Sequence, residues 1–298
     1  MNINKCDLCP RLCGINRING NGFCKAAENI RIAKAIPFLY EEPVISGTRG
    51  SGAIFFSGCN LKCCYCQNHE ISSGNYGSDV TIERFCDILL SLQNKGVHNI
   101  NLITPTHYSY QIIKALDRIK SKIAVPIIYN TGGYERYEII RFLKDYVDIY
   151  LPDLKYYDPD ISKEYSDAGD YFKYASDAIQ EMVSQKPNIR IDENGIMQEG
   201  VIIRHMVLPG YYSDSIKILD WISTNIKKEN NSFYVSLMRQ YTPYFKSNEY
   251  PLINRKLTAY EYSKVTERAS KLDLQGFYQK KGSSDTCYIP AFDLEGII

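Results

Sequence analysis

An apolar run, Ala53-Ile-Phe-Phe56, leads directly into Ser57-Gly58-Cys59-Asn-Leu-Lys-Cys63-Cys64-Tyr-Cys66. A run of that length bounded by Gly reads as a buried strand, so the chain must place a thiol-bearing loop at a strand end. Cys59, Cys63 and Cys66 are separated by three and then two residues, which lets one tight loop wrap three thiols around one face of a metal centre. Soft thiolates select zinc, copper(I) or iron–sulfur clusters over hard cations. Three ligands without an obvious fourth leave one metal position open for a second ligand or for chemistry. Cys64 is the odd thiol, because chain direction makes it hard for the adjacent Cys63 and Cys64 to point the same way.

The segment before this loop, residues 1–48, differs in composition and reads as a Cys-rich head. Cys6, Cys9, Cys13 and Cys24 lie two, three and ten residues apart, a spacing that permits one four-thiolate site. In so poorly hydrophobic a segment a metal substitutes for a core, which couples ligand binding to folding. The spacing leaves zinc, an auxiliary [4Fe-4S] cluster and free redox-active thiols open.

From residue 52 onward, apolar runs alternate with helical stretches, the βαβ pattern. Strands are expected at 53–57, 100–104, 126–130, 148–151, 201–208 and 233–237. Helices are expected at 81–94, 108–121, 134–145, 170–186, 214–228 and 258–272. Asn194-Gly195 reads as a turn between short alternating segments. The fold class is therefore α/β: six β/α repeats with right-handed crossovers, curling into a partial (β/α)6 barrel over residues 49–275. Residues 276–298 form a C-terminal appendage with a loop-like KKGSSD. Cys86 sits in a helical pattern and reads as a small core residue; Cys287 has no assigned role.

In α/β barrels the functional groups stand at the C-terminal ends of the strands. Those ends here are the cysteine loop, Thr104-Pro-Thr106-His107, Asn130-Thr-Gly-Gly133, Pro152-Asp153-Leu-Lys155, Arg204-His205 followed by Pro209-Gly210, and Met238-Arg-Gln-Tyr241. Thr106 also reads as a cap of the helix after it, and the Asp153 loop as a turn with incidental charges. His69 and His107 lie near the mouth, as substrate contacts or as ordinary surface and helix-end residues. Asn60, Gln67 and Asn68 are placed to orient the cysteine loop.

The string Cys59-x3-Cys63-x2-Cys66, with Tyr65 before the last thiol and Gly58 and Asn60 around the first, resembles the signature of the radical S-adenosylmethionine (SAM) enzymes. Within them it is most similar to the pyruvate formate-lyase activating enzyme group, in a branch with an N-terminal CxxCPxxC cluster. The resemblance runs from about Cys6 to about Gly276. It implies that Cys59, Cys63 and Cys66 hold a [4Fe-4S] cluster whose fourth iron is chelated by SAM. It also implies reductive cleavage to a 5′-deoxyadenosyl radical that abstracts hydrogen from a substrate. The group's Gly-Gly-Glu after strand 2 is absent, and Thr104 and Thr106 stand at its position as contacts for the SAM amino group. By the same resemblance Asn130, Asp153, Lys155 and Arg204, with His205 as fallback, contact SAM or substrate. The implied partners are a one-electron donor such as flavodoxin or ferredoxin and a protein or peptide substrate, a glycyl-radical enzyme in the named group.

With 35 basic and 34 acidic residues the formal charge is +1, which gives no footprint for nucleic acid or an anionic membrane. Eight of the ten cysteines fall between residues 6 and 66, which reads as metal or redox chemistry in a reducing compartment, not as disulfides. No apolar stretch reaches spanning length and the N-terminus has no signal core, so a soluble, cytoplasmic protein is expected. The 25 tyrosines read chiefly as amphipathic side chains at core edges. Two other functions stay open: the same radical chemistry on a small molecule, and a non-enzymatic metal-binding or regulatory module.

Overall fold

The computed structural model describes residues 3–279 and 290–297; KKGSSD and Cys287 lie outside the described residues. The strands are β1 (Ile30–Phe38), β2 (Ser51–Phe56), β3 (Ser78–Val80), β4 (Ile100–Ile103), β5 (Ile127–Thr131), β6 (Ile149–Pro152), β7 (Arg190–Ile191), β8 (Met197–Met206), β9 (Tyr234–Met238) and β10 (Gly276–Tyr278). The helices are α1 (Pro43–Ser46), α2 (His69–Ser72), α3 (Ile82–Asn94), α4 (Ser109–Ile119), α5 (Tyr137–Phe142), α6 (Pro159–Ser166), α7 (Tyr171–Gln185), α8 (Tyr212–Trp221) and α9 (Ala259–Lys271).

Strands β2, β4, β5, β6, β8 and β9 pair in parallel in that order, and β10 adds in parallel to β9. On the other side β1 lies antiparallel to β2, and β3 antiparallel to β1. The outermost strands β3 and β10 do not pair, so the sheet is an open partial barrel of the (β/α)6 type.

Alternation along the strands sorts side chains between the barrel interior and the helical layer. Ile54 and Phe56 of β2 face the helices, where Phe56 packs 5.8 Å from Phe85 and 5.7 Å from Tyr108. Inside, Ile128, Ile149, Leu151, Met197 and Ile202 meet Ile45 of α1, which closes the N-terminal end of the barrel. Each such fully buried side chain contributes about 1.5–3 kcal/mol. Helix starts follow local chemistry: Thr81 accepts from the Arg84 amide ahead of α3, and Thr258 with Glu261 forms a capping box on α9.

Most expected elements appear within a few residues of their sequence bounds. Helix α5 is shorter than expected because Gly133 adopts φ +81°, and a Cβ there would stand 2.0 Å from the Asp153 carbonyl oxygen. The chain is thereby fixed as a loop until Tyr137. Helix α8 ends at Trp221 and continues as a π-turn over Ile222–Ile226. Strand β8 begins at Met197, before the expected start, because the Asn194-Gly195 turn pairs it with β7.

Strand β1, within the 1–48 segment, is woven into the main sheet along β2. The C-terminal residues run beside β1: the Ala35 amide donates to Glu295 O at 2.9 Å and Lys34 pairs with Asp293 at 2.8 Å. The cysteine-bearing residues before β1 dock on the barrel through Leu8, which packs in one cluster with Ile139 of α5, and through Arg136, whose guanidinium donates to Asp7 O at 2.6 Å.

Candidate functional site

The loop after β2 is pinned from three sides. The Gly58 amide donates to Ile71 O at 2.8 Å, Lys62 N to Ser166 O at 3.1 Å and Cys64 N to Tyr165 O at 2.8 Å. Asn60, buried, donates its side-chain amide to Tyr134 O at 2.6 Å, which ties the loop to the chain after β5. Cys59, Cys63 and Cys66 are half-buried, whereas Cys64 is buried in the apolar core with Tyr65 and Tyr241. The odd thiol is therefore set into the core, while the other three stay partly accessible.

Burial pushes the Cys59 thiol up to about 12, with Cys63 and Cys66 adding to the rise. Cys66 is raised by burial and then by Cys63. Thiols that raise one another stand within electrostatic reach, and a metal that binds them displaces their protons. Ser166 donates its hydroxyl to the Cys63 sulfur at 2.9 Å, and the Leu61 amide donates to Cys59 at 3.4 Å. Cys66 exchanges a 3.3 Å contact with the Ser72 hydroxyl. Donors onto sulfur of this kind tune thiolate-bound clusters.

Lys155 and Asp153 form an ion pair at 2.5 Å just past β6. Burial works against the lysine's charge, yet Asp153 and then Cys63 raise it above the ordinary lysine range. Tyr171 holds this corner together: its hydroxyl accepts from the Lys155 amide at 2.9 Å and lies 2.8–2.9 Å from the Asp153 and Gly132 carbonyls. A Cβ at Gly132 would stand 3.2 Å from Leu61 of the cysteine loop and 3.7 Å from Lys155 Cε, so glycine keeps that space free.

Thr104, at the end of β4, has φ +59°, a strained conformation for a β-branched residue. Thr106 caps no helix; its hydroxyl donates to the Glu135 carboxylate, as does Thr131. Glu135 is fully buried, its second oxygen has no partner, and burial pushes it up to about 7. His107 is buried beneath the loop, donating from Nε2 to Ser57 O at 2.8 Å, and burial lowers it to about 3. His69 stacks on Phe245 at 4.5 Å.

Arg204 and His205 point to opposite faces of β8, as alternation requires. Arg204 enters the barrel, where Nε donates to Glu42 Oε1 at 2.9 Å and Nη2 to both Glu41 and Glu42. Asn130 joins the same layer, its carbonyl oxygen 3.4 Å from Arg204 Nη1. His205 faces α8: Nδ1 donates to Leu154 O at 2.6 Å and Nε2 accepts from the Ser215 hydroxyl at 2.8 Å, while burial lowers it to about 4 and keeps it neutral.

The fold thus brings Cys59, Cys63, Cys66, Asp153 and Lys155 together at the mouth. It turns Arg204 and Asn130 into the barrel interior toward Glu41 and Glu42, and His205 onto the helical face. Glu41, Glu42, Glu135 and Tyr171 were not singled out from sequence. For Glu135 a signal existed, a carboxylate two residues beyond the Gly132-Gly133 strand end.

Among the described residues, no three Cys, His, Asp or Glu side chains are gathered as a single-ion site. A cluster sets its thiolates on different irons and does not need that gathering. The donor set fits such a group: three half-buried thiols on one anchored loop, hydroxyl and amide donors on their sulfurs, and a cationic lysine in reach.

A partial α/β barrel with a three-thiol loop at its mouth defines a scaffold for a thiolate-bound cofactor. Residues 53–222 match the Radical SAM superfamily, and the chain belongs to it. An uncharacterized protein of Methanocaldococcus jannaschii, MJ0674, is 32% identical over 284 residues, covering 92% of this chain and 76% of its own. Among solved structures, the FeFe-hydrogenase maturase HydG of Carboxydothermus hydrogenoformans is similar with a TM-score of 0.50 at 14% identity, over 78% of this chain and 55% of that one. SuiB of Streptococcus suis bound to S-adenosylmethionine has a TM-score of 0.48 at 16% identity, over 75% of this chain and 48% of that one. The chain spans about half the length of these solved proteins, and the likeness to HydG is one of fold.

Proposed function

We propose that the chain is a radical SAM enzyme of the activating-enzyme-like branch, with Cys59, Cys63 and Cys66 holding a [4Fe-4S] cluster and SAM docking beside Lys155. The observation that carries this is three half-buried thiols on one anchored loop, with hydroxyl and amide donors on their sulfurs and the Asp153–Lys155 pair at the neighbouring strand end. Cluster and SAM together supply one-electron cleavage of a carbon–sulfur bond and, through it, hydrogen abstraction from a substrate.

This chain's residues do the positioning. Lys155 offers a point charge to a carboxylate, Asp153 and Tyr171 hold it in place, and Gly132 leaves room for a ligand next to it. Ser166, Ser72 and the Leu61 amide set the charge on the sulfurs. Thr104, Thr106, Asn130 and Arg204 shape the wall around that space, with His205 supporting it from the helical face.

The open edge between β3 and β10 supports a protein or peptide loop as substrate and docking of a flavodoxin- or ferredoxin-like donor. On this reading the residues before β1 are a metal-binding head and the sheet from β1 to β10 with its helices is the catalytic barrel, so the expected boundaries at 48 and 276 would split β1 and β10 off the sheet they belong to. No helix among the described residues is long and apolar enough to cross a membrane, and a cytoplasmic enzyme is proposed. The test is anaerobic reconstitution with a reductant. Cys59→Ala, Cys63→Ala and Cys66→Ala should each abolish 5′-deoxyadenosine formation while Cys64→Ala retains it. Turnover that survives loss of any of the three thiols, or a wild type that never cleaves SAM, refutes the proposal.

A further inference from the structure

Outside the barrel mouth, the segment before β1 carries four more thiols, Cys6, Cys9, Cys13 and Cys24. The Cys6 amide donates to Ile15 O at 2.9 Å and Gly14 N returns to Cys6 O at 3.0 Å, folding the first cysteines into a small two-way ladder. Two tight turns follow, Leu12 N to Cys9 O at 3.0 Å and Lys25 N to Gly22 O at 2.8 Å. Leu12 and Lys25 adopt φ +42° and +62°, conformations that non-glycine side chains rarely accept. The turns bring Cys13 and Cys24 to either side of Gly22, where a Cβ would stand 3.3 Å from one sulfur and 3.6 Å from the other. Cys6, Cys9 and Cys24 are buried, although this segment has little apolar material of its own.

The charges around these thiols are the informative part. Arg17 is 1% exposed and no carboxylate among the described residues pairs with it. Its Nη1 donates to His107 O, its Nη2 lies 3.6 Å from Cys24 Sγ, and its Nε has no partner. Lys62 Nζ is likewise buried and without a hydrogen-bond partner, and it lies 4.9 Å over the ring of Phe23, the residue before Cys24. Lys62 therefore lies between the head thiols and the cysteine loop.

A buried guanidinium without an anion is costly, and a neutral thiol is a weak acceptor that does not offset its charge. Thiolates do offset it, and buried thiolates persist when a metal holds them. We infer that Cys6, Cys9, Cys13 and Cys24 form a second, thiolate-bound metal centre whose negative charge is balanced by Arg17, with Lys62 shared between it and the cysteine loop. Its ligand chemistry is that of an iron–sulfur cluster, which sets its thiolates on different irons, since among the described residues no three of these side chains are gathered about a single-ion position.

This centre also buttresses the loop after β2. A Cβ at Gly58 would stand 2.3 Å from Cys24 O, Arg11 Nε donates to Asn60 O at 2.9 Å, and Lys62 lies 4.9 Å over the Phe23 ring. Loss of the head metal would thus loosen the backbone on either side of Cys59.

The test removes the other thiols. A Cys59→Ala/Cys63→Ala/Cys66→Ala variant is prepared without oxygen, loaded separately with zinc and with iron plus sulfide, desalted and assayed for metal. It should keep about one tightly held centre per chain, and the arm that loads stably identifies the metal. Adding Cys6→Ser and Cys9→Ser should lower retained metal at least tenfold. Arg17→Gln, which keeps every thiol, should speed metal loss to a chelator at least tenfold. A folded triple variant that holds no metal overturns the inference, as does full retention without Cys6 and Cys9. An unchanged release rate in Arg17→Gln overturns the charge balance. Metal kept in the triple variant, together with a wild type that never cleaves SAM, leaves this centre standing and removes the proposed function.

Discussion

Replacing Arg204 by methionine should cost about 4 kcal/mol of folding stability. Arg204 Nη2 meets Glu42 at 2.6 Å and also binds Glu41, inside a barrel layer where both acids are almost fully buried. At an effective dielectric of about 20, unit charges about 4 Å apart interact by about 4 kcal/mol. Both attractions are lost in the variant, while the desolvation cost of the guanidinium, no longer incurred, returns several kcal/mol, which leaves about 4 kcal/mol, within the 3–5 kcal/mol typical of stranding a buried charge. The sign with pH follows from Glu42: burial raises its proton affinity, but Arg204 more than reverses this and holds the carboxyl below its ordinary value of 4.5. The stability it contributes is therefore complete above about pH 4.5 and is lost as pH falls through the lower folded value. In Arg204→Met the same carboxylates lose their cation, so the deficit should be largest at pH 7–8 and shrink toward pH 4. Urea denaturation of wild type, Arg204→Met and Arg204→Met/Glu41→Gln/Glu42→Gln between pH 4 and 8 measures this, with the triple variant recovering most of the loss. A deficit under about 1 kcal/mol at pH 7, or one that does not vary with pH, would refute the ion-pair account. SAM binding by the stabilised triple variant then reports whether Arg204 contacts ligand or only holds the barrel.

Two further outcomes rest on single positions. Burial raises Glu135 from 4.5 to about 7, so the wild type should lose up to about 3 kcal/mol as pH rises between those values, a slope that Glu135→Gln abolishes; parallel denaturation curves at every pH would contradict this. Gly58→Ala places a Cβ at φ +88° and 2.3 Å from Cys24 O, and should destabilise the fold by about 2–3 kcal/mol and lower iron incorporation at the adjacent loop. Unchanged melting and iron content would show that the head does not bear on Gly58.

The six parallel strands were legible because each is a short, nearly continuous apolar run, and burial on both faces leaves no other reading of such a run. Strand β1 was not, since Ile30–Phe38 lies inside a segment whose Cys, Gly and Asn content suggested a separate unit, and its antiparallel partner β2 could not be known locally. The cysteine loop was readable because metal ligation demands a fixed spacing along the chain. Glu41 and Glu42 were not, because adjacent acids in a linker give no sign of an arginine 162 residues away. His205 illustrates the middle case: alternation separates it from Arg204, but only the fold tells which of the two enters the barrel.

Helix α1 and the acids before it stop one end of the barrel, with Ile45 set among Ile128, Ile149, Leu151, Met197 and Ile202. The structure is accordingly a cup and not a tube. Any ligand of the three-thiol loop would enter at its rim or along the open edge between β3 and β10, and never through the floor.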